Sequence, residues 1–471
     1  MDVRSDPGQS GCIVAHNVSF LGDGQVATRP GFSDFETTLM LPPVAHLLLG
    51  DGGTHIMSYK GGTDREVRAF AADGSEAAAS GSLVSSQADT NFVRFGGAAG
   101  NRTYFGYATG SSILRWDGAT FTSVVTPWAG YLAVTPWDNR LVIAAASRVH
   151  FSAPGDPETY DALDYVDLDP GDGEQIIGAV AWRELVFVFK QSKFYVFTGT
   201  ATDSTGGAVF NYRAVRGVGL AAYFKGGCTA GTDAVFFVAR DGIYRTTGGV
   251  AERISRPLDP LFGSGPLSPL AYPTKFDFLS GSTYDNVQIA WHDERLFVPV
   301  RTARFGPTDL LVWHAANNKW STWSTASTAL TAVQNGATFD RQLMIAPGFQ
   351  QNQIKTFGDE TATSDDGAAI VASYQSGFND MGMAGVEKTI RETELVGTGA
   401  PSFSWTRDFA TAATGTTVTL GTSPATARGR HRTAYRGNAL SWRVSSASGY
   451  WRLNRVVPFM RDQRPAPERT S

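Results

Sequence analysis

Four carboxylates fall within eight residues at Asp167-Leu168-Asp169-Pro170-Gly171-Asp172-Gly173-Glu174, and an oxygen-rich loop of this kind suits a calcium ion. The register of a helix-flanked calcium loop fails, however. Counted from Asp167, Gly171 occupies the third ligand position and Gly178 stands where a bidentate glutamate belongs. Pro-Gly and Asp-Gly are also turn dipeptides, so a tight connection between elements is the simpler reading. Paired acids for glycoside cleavage are a second candidate chemistry, one protonating the leaving oxygen while the other attacks or activates water. The pairs on offer, Asp293-Glu294 and Asp365-Asp366, are adjacent in the chain. On a strand, adjacent side chains point to opposite faces and cannot share a substrate. The histidines, His16, His46, His55, His150, His292, His314 and His431, form no i, i+2 or i, i+4 pair, which makes them structural rather than ligands. Cys12 and Cys228 lack metal spacing and are too few for a disulfide scaffold, so each reads as a small buried apolar residue. The G-x-S-x-G elbow, the Walker phosphate loop and the H-E-x-x-H zinc helix are missing. No catalytic, cofactor-binding or metal-binding residue is assigned, and the chain reads as a non-enzyme.

The bulk numbers narrow the class further. The 471 residues are 18% charged, 42% hydrophobic and 12% aromatic, too apolar for a disordered chain. A net charge of −4 gives no general phosphate-neutralising face. The exception is the run Arg428, Arg430, Arg432, Arg436, Arg443, Arg452 and Arg455. Solvated strand faces account for it more simply than an anionic partner does. The start, Met1-Asp2-Val3-Arg4-Ser5-Asp6-Pro7, lacks the apolar core of a signal peptide, and no apolar run reaches bilayer-spanning length. A soluble chain made in a reducing compartment is expected.

Helical patterning is almost absent. Apolar segments are short, rich in Val, Ile, Phe, Tyr and Thr, and bounded by Gly, Asp, Asn and Pro. Val186-Phe187-Val188-Phe189 and Phe194-Tyr195-Val196-Phe197, joined by the polar Lys190-Gln191-Ser192-Lys193, read as a hairpin. A polar turn followed by an apolar strand recurs from Gly53, Asn101, Asn139, Arg183, Asp233, Glu294 and Arg341. The steps run from 38 to 61 residues and average 48. That rhythm fits blades of four strands each. A thin four-stranded sheet cannot cover both its faces alone, whereas radial stacking on neighbours does so. The expected architecture is therefore all-β: a β-propeller of about seven blades followed by a small antiparallel, sandwich-like β domain.

Two further hairpins are legible. Trp116-Asp117-Gly118-Ala119-Thr120-Phe121 places Asp-Gly between alternating strands, and Trp313 to Trp323 repeats the plan around an Asn-rich turn; aromatics on each strand can pair across both. The long step containing Pro257 to Pro273 implies an extended loop on one rim. From about Asp365 the rhythm stops and Thr, Ser and Ala rise. The domain reading is a propeller over 1–364, a carboxy-terminal antiparallel β domain over 365–460 and a tail over 461–471. The segment Asn17 to Phe20 is a candidate for the strand that closes the ring.

Several segments resemble a known family. Asn17-Val18-Ser19-Phe20 with Gln25-Val26-Ala27-Thr28-Arg29-Pro30-Gly31-Phe32 resembles the start of bacteriophage tail nozzle and tail-hub propeller proteins. Phe151 to Asp161, Asp169 to Gly173, Arg183, Val188-Phe189-Lys190 and Tyr195 to Gly199 are similar to their blades. Tyr374-Gln375-Ser376-Gly377-Phe378 and Lys388-Thr389-Ile390-Arg391 resemble their post-propeller β domain. The resemblance implies a structural virion part without catalytic residues, assembled in the host cytoplasm. Such a part is a propeller subunit of a distal tail ring, commonly a hexamer, that lines the DNA-exit channel. Its implied partners are copies of itself, adaptor or tail-tube proteins, tail-fibre or spike proteins, and phage DNA passing without sequence-specific binding. Large inserted domains of short-tailed-phage nozzles are not evident, which leaves nozzle, tip and fibre anchor open as positions. The alternatives are a carbohydrate-binding receptor protein, with Trp313, Trp320 and Trp323 as stacking candidates, and a polysaccharide-degrading propeller. The sialidase type of the latter carries repeated Asp-box turns, and only the Trp116 to Phe121 hairpin faintly resembles one.

Overall fold

In the computed structural model the described residues are 12–21, 25–35, 44–49, 55–60, 66–71, 75–79, 92–97, 100–106, 112–126, 128, 131–202, 208–220, 226–239, 241–261, 276–277, 288–302, 306–324, 327–334, 341–347, 355–358, 364–365, 367–378, 387–407, 416–420, 428–446 and 450–462. Among them strands dominate, with short 3-10 turns at Arg256–Leu261 and Ala315–Asn317.

The second strand of each blade explains the fold. Leu185–Phe189 (LVFVF) is buried almost throughout, and alternate residues face opposite neighbours. Val186 and Val188 pack with Phe151 and Val142 of the preceding blade, whereas Phe187 and Phe189 pack with Val235 and Phe237 of the following one. The same division holds for Arg140–Ala145, where Leu141 and Ile143 face one way and Val142 and Ala144 the other. A strand sandwiched on both faces reads as a continuous apolar run, and the run recurs because each blade needs one. Every motif of the 48-residue rhythm leads into the second strand of a blade.

Seven four-stranded antiparallel blades are present among the described residues. Blade 1 comprises Val44–Leu49, His55–Lys60, Glu66–Ala71 and Glu76–Ala79; blade 2 comprises Phe92–Gly97, Gly100–Gly106, Ser112–Trp116 and Phe121–Val125. Blade 3 contains Tyr131–Trp137, Arg140–Ala145, Arg148–Ala153 and Asp156–Asp167, and blade 4 contains Gly178–Trp182, Leu185–Phe189, Lys193–Thr202 and Ala208–Arg216. Blade 5 has Cys228–Ala230, Val235–Ala239, Gly242–Thr246 and Glu252–Arg253; blade 6 has Ala290–His292, Arg295–Thr302, Gly306–His314 and Lys319–Trp323. Blade 7 takes Ser327–Gln334, Arg341–Pro347 and Lys355–Phe357 from one end of the chain and its outermost strand, Phe32–Asp34, from the other. The first strands of successive blades lie side by side around the ring, and that of blade 7 meets that of blade 1. The chain folds as a β-propeller.

Closure therefore uses Phe32–Asp34 rather than Asn17 to Phe20. Phe32 opposes Phe357 with the rings edge-on at 5.9 Å, and Asp34 opposes Lys355 with a 2.6 Å ion pair. Val18–Phe20 is diverted elsewhere, because its apolar pattern suits any half-buried strand and does not name a partner.

The carboxy-terminal domain consists of two sheets. One contains Ala372–Ser376, Leu440–Ser446, Ser402–Arg407 and Thr416–Thr417, and Cys12–His16 joins its edge. The other contains Val18–Phe20, Val26–Thr28, Arg452–Asp462, Lys388–Thr398 and Arg428–Gly437. Cys12–His16 and Val26–Thr28 thus pair with carboxy-terminal strands, and Val18–Phe20 follows by pairing with Val26–Thr28, although the sequence pattern groups this segment with the propeller. A donor hydrogen bond from Trp405 Nε1 to Thr393 Oγ1 (2.8 Å) ties the sheets together. Cys12–His16 also touches the last strand of blade 6 in parallel, His16 opposite Thr322, so that blade 6 continues into the sandwich sheet. Arg461 belongs to the last strand, and residues 463–471 of the expected tail lie outside the described residues.

Candidate functional site

Asn17 is the hinge by which the amino-terminal segment moves from one sandwich sheet to the other. Its backbone is left-handed (φ 51°), a conformation asparagine tolerates better than most residues. Its N–H donates to Thr322 O at 2.6 Å, and its amide Nδ2 donates to Val371 O at 2.9 Å. Asn17 Oδ1 accepts from Ser324 N (2.7 Å) and from Arg29 Nε (3.0 Å).

Arg29 is fully buried, and all five of its N–H groups are used. Nη1 donates to Pro30 O and Asp365 Oδ1, both at 2.8 Å; Nη2 donates to Asp365 Oδ2 (2.5 Å) and Ser324 O (3.2 Å). The guanidinium also lies over the rings of Phe32 and Phe357. A planar fork with five donors matches this set of acceptors, and a lysine ammonium does not. Next to it, Gly31 leaves room for backbone: a Cβ there would stand 1.9 Å from Ser364 O. Asp365 is thus the counter-ion of a structural arginine, and Asp366 lies outside the described residues.

His16 completes this junction, its ring within hydrogen-bond distance of Thr322 Oγ1 (3.1 Å) and Ser324 Oγ (3.0 Å). Burial, with the Arg29 charge adding to it, holds His16 down to about 4. The ring therefore stays neutral near pH 7, as a site beside a buried guanidinium requires.

The acidic loop is a second junction, and a lysine takes the place of a metal ion there. The loop runs from the last strand of blade 3 to the first of blade 4. Lys190 and Lys193 flank the turn between the second and third strands of blade 4. Lys190 Nζ is buried and donates to Leu168 O (2.6 Å), Asp169 O (3.2 Å) and both oxygens of Asp172 (3.0 and 2.8 Å). Lys193 Nζ pairs with Asp169 Oδ2 (2.9 Å) and Asp172 Oδ2 (2.8 Å). Burial alone would raise the Asp172 carboxyl, but hydrogen bonds from Lys190 and Lys193 hold it well below the usual carboxylate range. The hydrogen bonds to Asp172 and Asp169 push the Lys193 ammonium in the opposite direction, upward. Backbone completes the lock through Leu220 N to Lys190 O (2.9 Å), and a Cβ on Gly219 would stand 2.1 Å from that oxygen. The polar turn of the sequence reading is therefore not solvated at its two lysines.

The other sequence candidates are dispersed. Asp293 and Glu294 sit in the turn between the first two strands of blade 6, both left-handed (φ 48° and 53°), rather than on a strand. Consecutive left-handed residues are what a twisted two-residue hairpin turn demands. They border a recess of about 300 Å3 with Arg295, His314, Phe20 and Arg452. Arg452 donates to Gln25 Oε1, and Arg295 approaches Asp293 at 3.5 Å. His314 is buried, and burial, with Arg295 and Lys319 nearby, keeps it well below the ordinary histidine value. His150 is stacked on Trp128 at 3.6 Å; burial and Arg148 hold it down to about 4, against the pull of Asp167. The side chains of His46, His55, His431, Cys12, Arg428, Arg430 and Arg432 lie outside the described residues. Cys228 is half-buried in the core between blades 4 and 5, and burial pushes its thiol up to about 12.

Trp313, Trp320 and Trp323 are at most 3% exposed and offer no face to a sugar. Trp323 Nε1 donates to Val18 O, and Trp313 opposes Trp320 across the hairpin. The Trp116 to Phe121 hairpin has the register read from its turn, with the rings 4.6 Å apart. Among the described residues no three His, Cys, Asp or Glu side chains group to hold a metal, and no helix is long and apolar enough to cross a membrane.

Two blade-to-blade ties escaped the sequence reading. Trp137 and Trp182 each end a first strand and donate Nε1 into the turn of the next blade, to Glu184 O (2.8 Å) and Gly231 O (2.9 Å). A tryptophan recurring at the same place in successive repeats was the available signal. The buried lysines had none, because a lysine in a turn ordinarily projects into water.

No family model matches the chain, and no curated protein does. Solved structures to which it is similar include BBS1N in complex with ARL6DN, at 13% identity and a TM-score of 0.42, covering 71% of this chain and 99% of that one. The β-propeller domain of Cps50 (Swd1) from Myceliophteria thermophila matches at 10% identity and 0.40, covering 68% and 99%. Raptor from Chaetomium thermophilum matches at 9% identity and 0.43, over 70% of this chain and 29% of that one.

Proposed function

We propose that the chain is a structural subunit of a bacteriophage tail, a propeller that joins copies of itself and neighbouring tail proteins in a distal ring around the DNA-exit channel. One observation carries the reading. Three of the segments that resemble tail nozzle and tail-hub propellers contribute residues to joints of this molecule. Arg29 and Gly31 lie in the first, Asp169 and Asp172 with Lys190 form the blade 3–4 lock, and Tyr374 to Ser376 lie in the sandwich strand paired with Cys12–His16. A part that bears load needs its two domains fixed to each other. Here blade 6 and the sandwich share a sheet and a hydrophobic core that includes Phe20, Trp313, Trp320, Tyr374 and Trp405. Mild net acidity favours weak contact with DNA in transit. In this reading the chain catalyses no reaction. The sugar-binding alternative loses its three tryptophans to the core, and the glycosidase alternative loses Asp365 to Arg29.

The test is electron microscopy of phage particles encoded with this chain, decorated with gold-labelled antibodies raised against it. Label at the distal tail supports the reading. Intact particles that lack the chain, or carry it only in the head, would refute it.

A further inference from the structure

We propose that the outermost strands of blades 3 and 4 form a self-complementary face on which a second copy of this chain docks about a twofold axis. The inference goes beyond the tail reading and does not depend on it. The two strands, Asp156–Asp167 and Ala208–Arg216, are 12 and 9 residues long, and among the described residues each ends its sheet with one edge unpaired. Most of their residues are exposed or half-exposed on both faces. Long open edges of this kind are ordinarily paired, covered or blunted.

The apolar exposure of these strands is specific. Between the pairs His150↔Tyr165 and Ser152↔Tyr160 the outer strand of blade 3 carries extra residues and bulges outward. Asp161 Oδ1 accepts the N–H of Leu163 at 2.8 Å and fixes the bulge, with Leu163 80% exposed at its tip. On the neighbouring strand Val209 and Tyr212 are 40% and 44% exposed. These are three of the most exposed large apolar residues described in the chain, and they lie on adjacent blades.

Charge supplies the partner. Asp156–Asp167 carries five carboxylates and no lysine or arginine, whereas Ala208–Arg216 carries Arg213 and Arg216 and no acid. Glu158, Asp164 and Asp167 are paired within the chain to Arg115, Arg140 and Arg148. Asp156 and Asp161 accept only local N–H and hydroxyl donors among the described residues. Arg216 is largely exposed and only 3.5 Å at closest from Asp169. A second copy turned by a half rotation sets its basic strand against this acidic one and its acidic strand against this basic one, making each contact twice. The two strands together offer about the 20–30 residues a side of a standard interface.

Sedimentation velocity of the full chain at 50 mM and 500 mM salt tests this. A dimer is expected at low salt, with a dissociation constant that rises at least tenfold at high salt. Leu163→Asp and Tyr212→Ser should each shift the population to monomer while the thermal transition stays where it is in the parent. Arg216→Asp should weaken the dimer at low salt, and Asp161→Asn, which keeps the Oδ1 acceptor of the bulge and removes only the charge, should weaken it less. A chain that is monomeric under all conditions overturns the proposal. So does a dimer, ring or open polymer that these substitutions leave unchanged.

Discussion

The guanidinium of Arg29 grips both carboxylate oxygens of Asp365, at 2.8 and 2.5 Å, across 336 positions of sequence. This pair fastens the amino-terminal segment to the stretch that leaves blade 7, next to the strand that closes the ring. Removing one partner of a buried pair leaves the other charge without compensation, which costs about 3–5 kcal/mol.

Arg29→Met should therefore lower stability by about 3–5 kcal/mol in urea unfolding followed by tryptophan fluorescence. Arg29→Lys should recover little of it, because a lysine can neither reach both oxygens nor supply five donors. Asp365→Asn retains hydrogen-bonding oxygen and should be milder than Arg29→Met. Equal stability of all three variants and the parent would show that the pair is idle.

The blade 3–4 lock predicts an effect confined to its own blades. Asp172→Ala leaves the Lys190 ammonium buried with only carbonyl partners, and a loss of about 3 kcal/mol or more is expected. Hydrogen exchange should rise at Leu185–Phe189 and Lys193–Thr202 before it rises in blade 7. Added calcium should not raise the melting temperature of the parent, since the loop's carboxylates already hold two ammonium groups. A calcium-dependent rise would contradict that assignment.

Gly31→Ala and Gly219→Ala should each destabilise the fold, because the new methyl meets backbone oxygen at 1.9 and 2.1 Å. Backbone cannot yield as a flexible side chain does. Gly171→Ala, with open space at that Cβ, serves as the control and should leave the melting temperature within a degree or so of the parent.

Stability should also fall in mild acid. His16 and His150 are held to about 4 in the folded chain, and His314 well below its ordinary value of 6.5. Between pH 6.5 and 4 the unfolded chain binds protons at these positions that the folded chain refuses, so unfolding becomes easier as pH drops. The loss begins near 6.5 and is complete for His16 and His150 near 4, amounting to about 3 kcal/mol for each at most. Urea midpoints measured from pH 7.5 to 4 should decline over that window. In His150→Phe, which keeps the stack on Trp128, the decline should be smaller.

Much of the fold was legible because the repeated requirement is local. A strand covered on both faces must be apolar at every position, so Leu185–Phe189 and Val235–Ala239 announce themselves, and the rhythm of such strands implies the ring. Turn chemistry was equally local, as Trp116 opposite Phe121 illustrates. The burial of Lys190 was not legible, for the opposite reason. Its burial depends on the Asp172 carboxylate 18 residues earlier and on carbonyls turned toward it, and no pattern in its own neighbourhood encodes them.

What the sequence determined by itself was the kind of element, the number of repeats to within the uncertainty of their spacing, and the change of character near Asp365. All of these follow from side-chain polarity and turn preference over a few residues. Tertiary structure alone decided which strand closed the ring, why Asn17 turns where it does, and that Arg29 and Asp365 meet. Strand pairing is made by backbone hydrogen bonds that every residue offers alike, so partners separated by hundreds of positions are chosen by packing and burial in three dimensions.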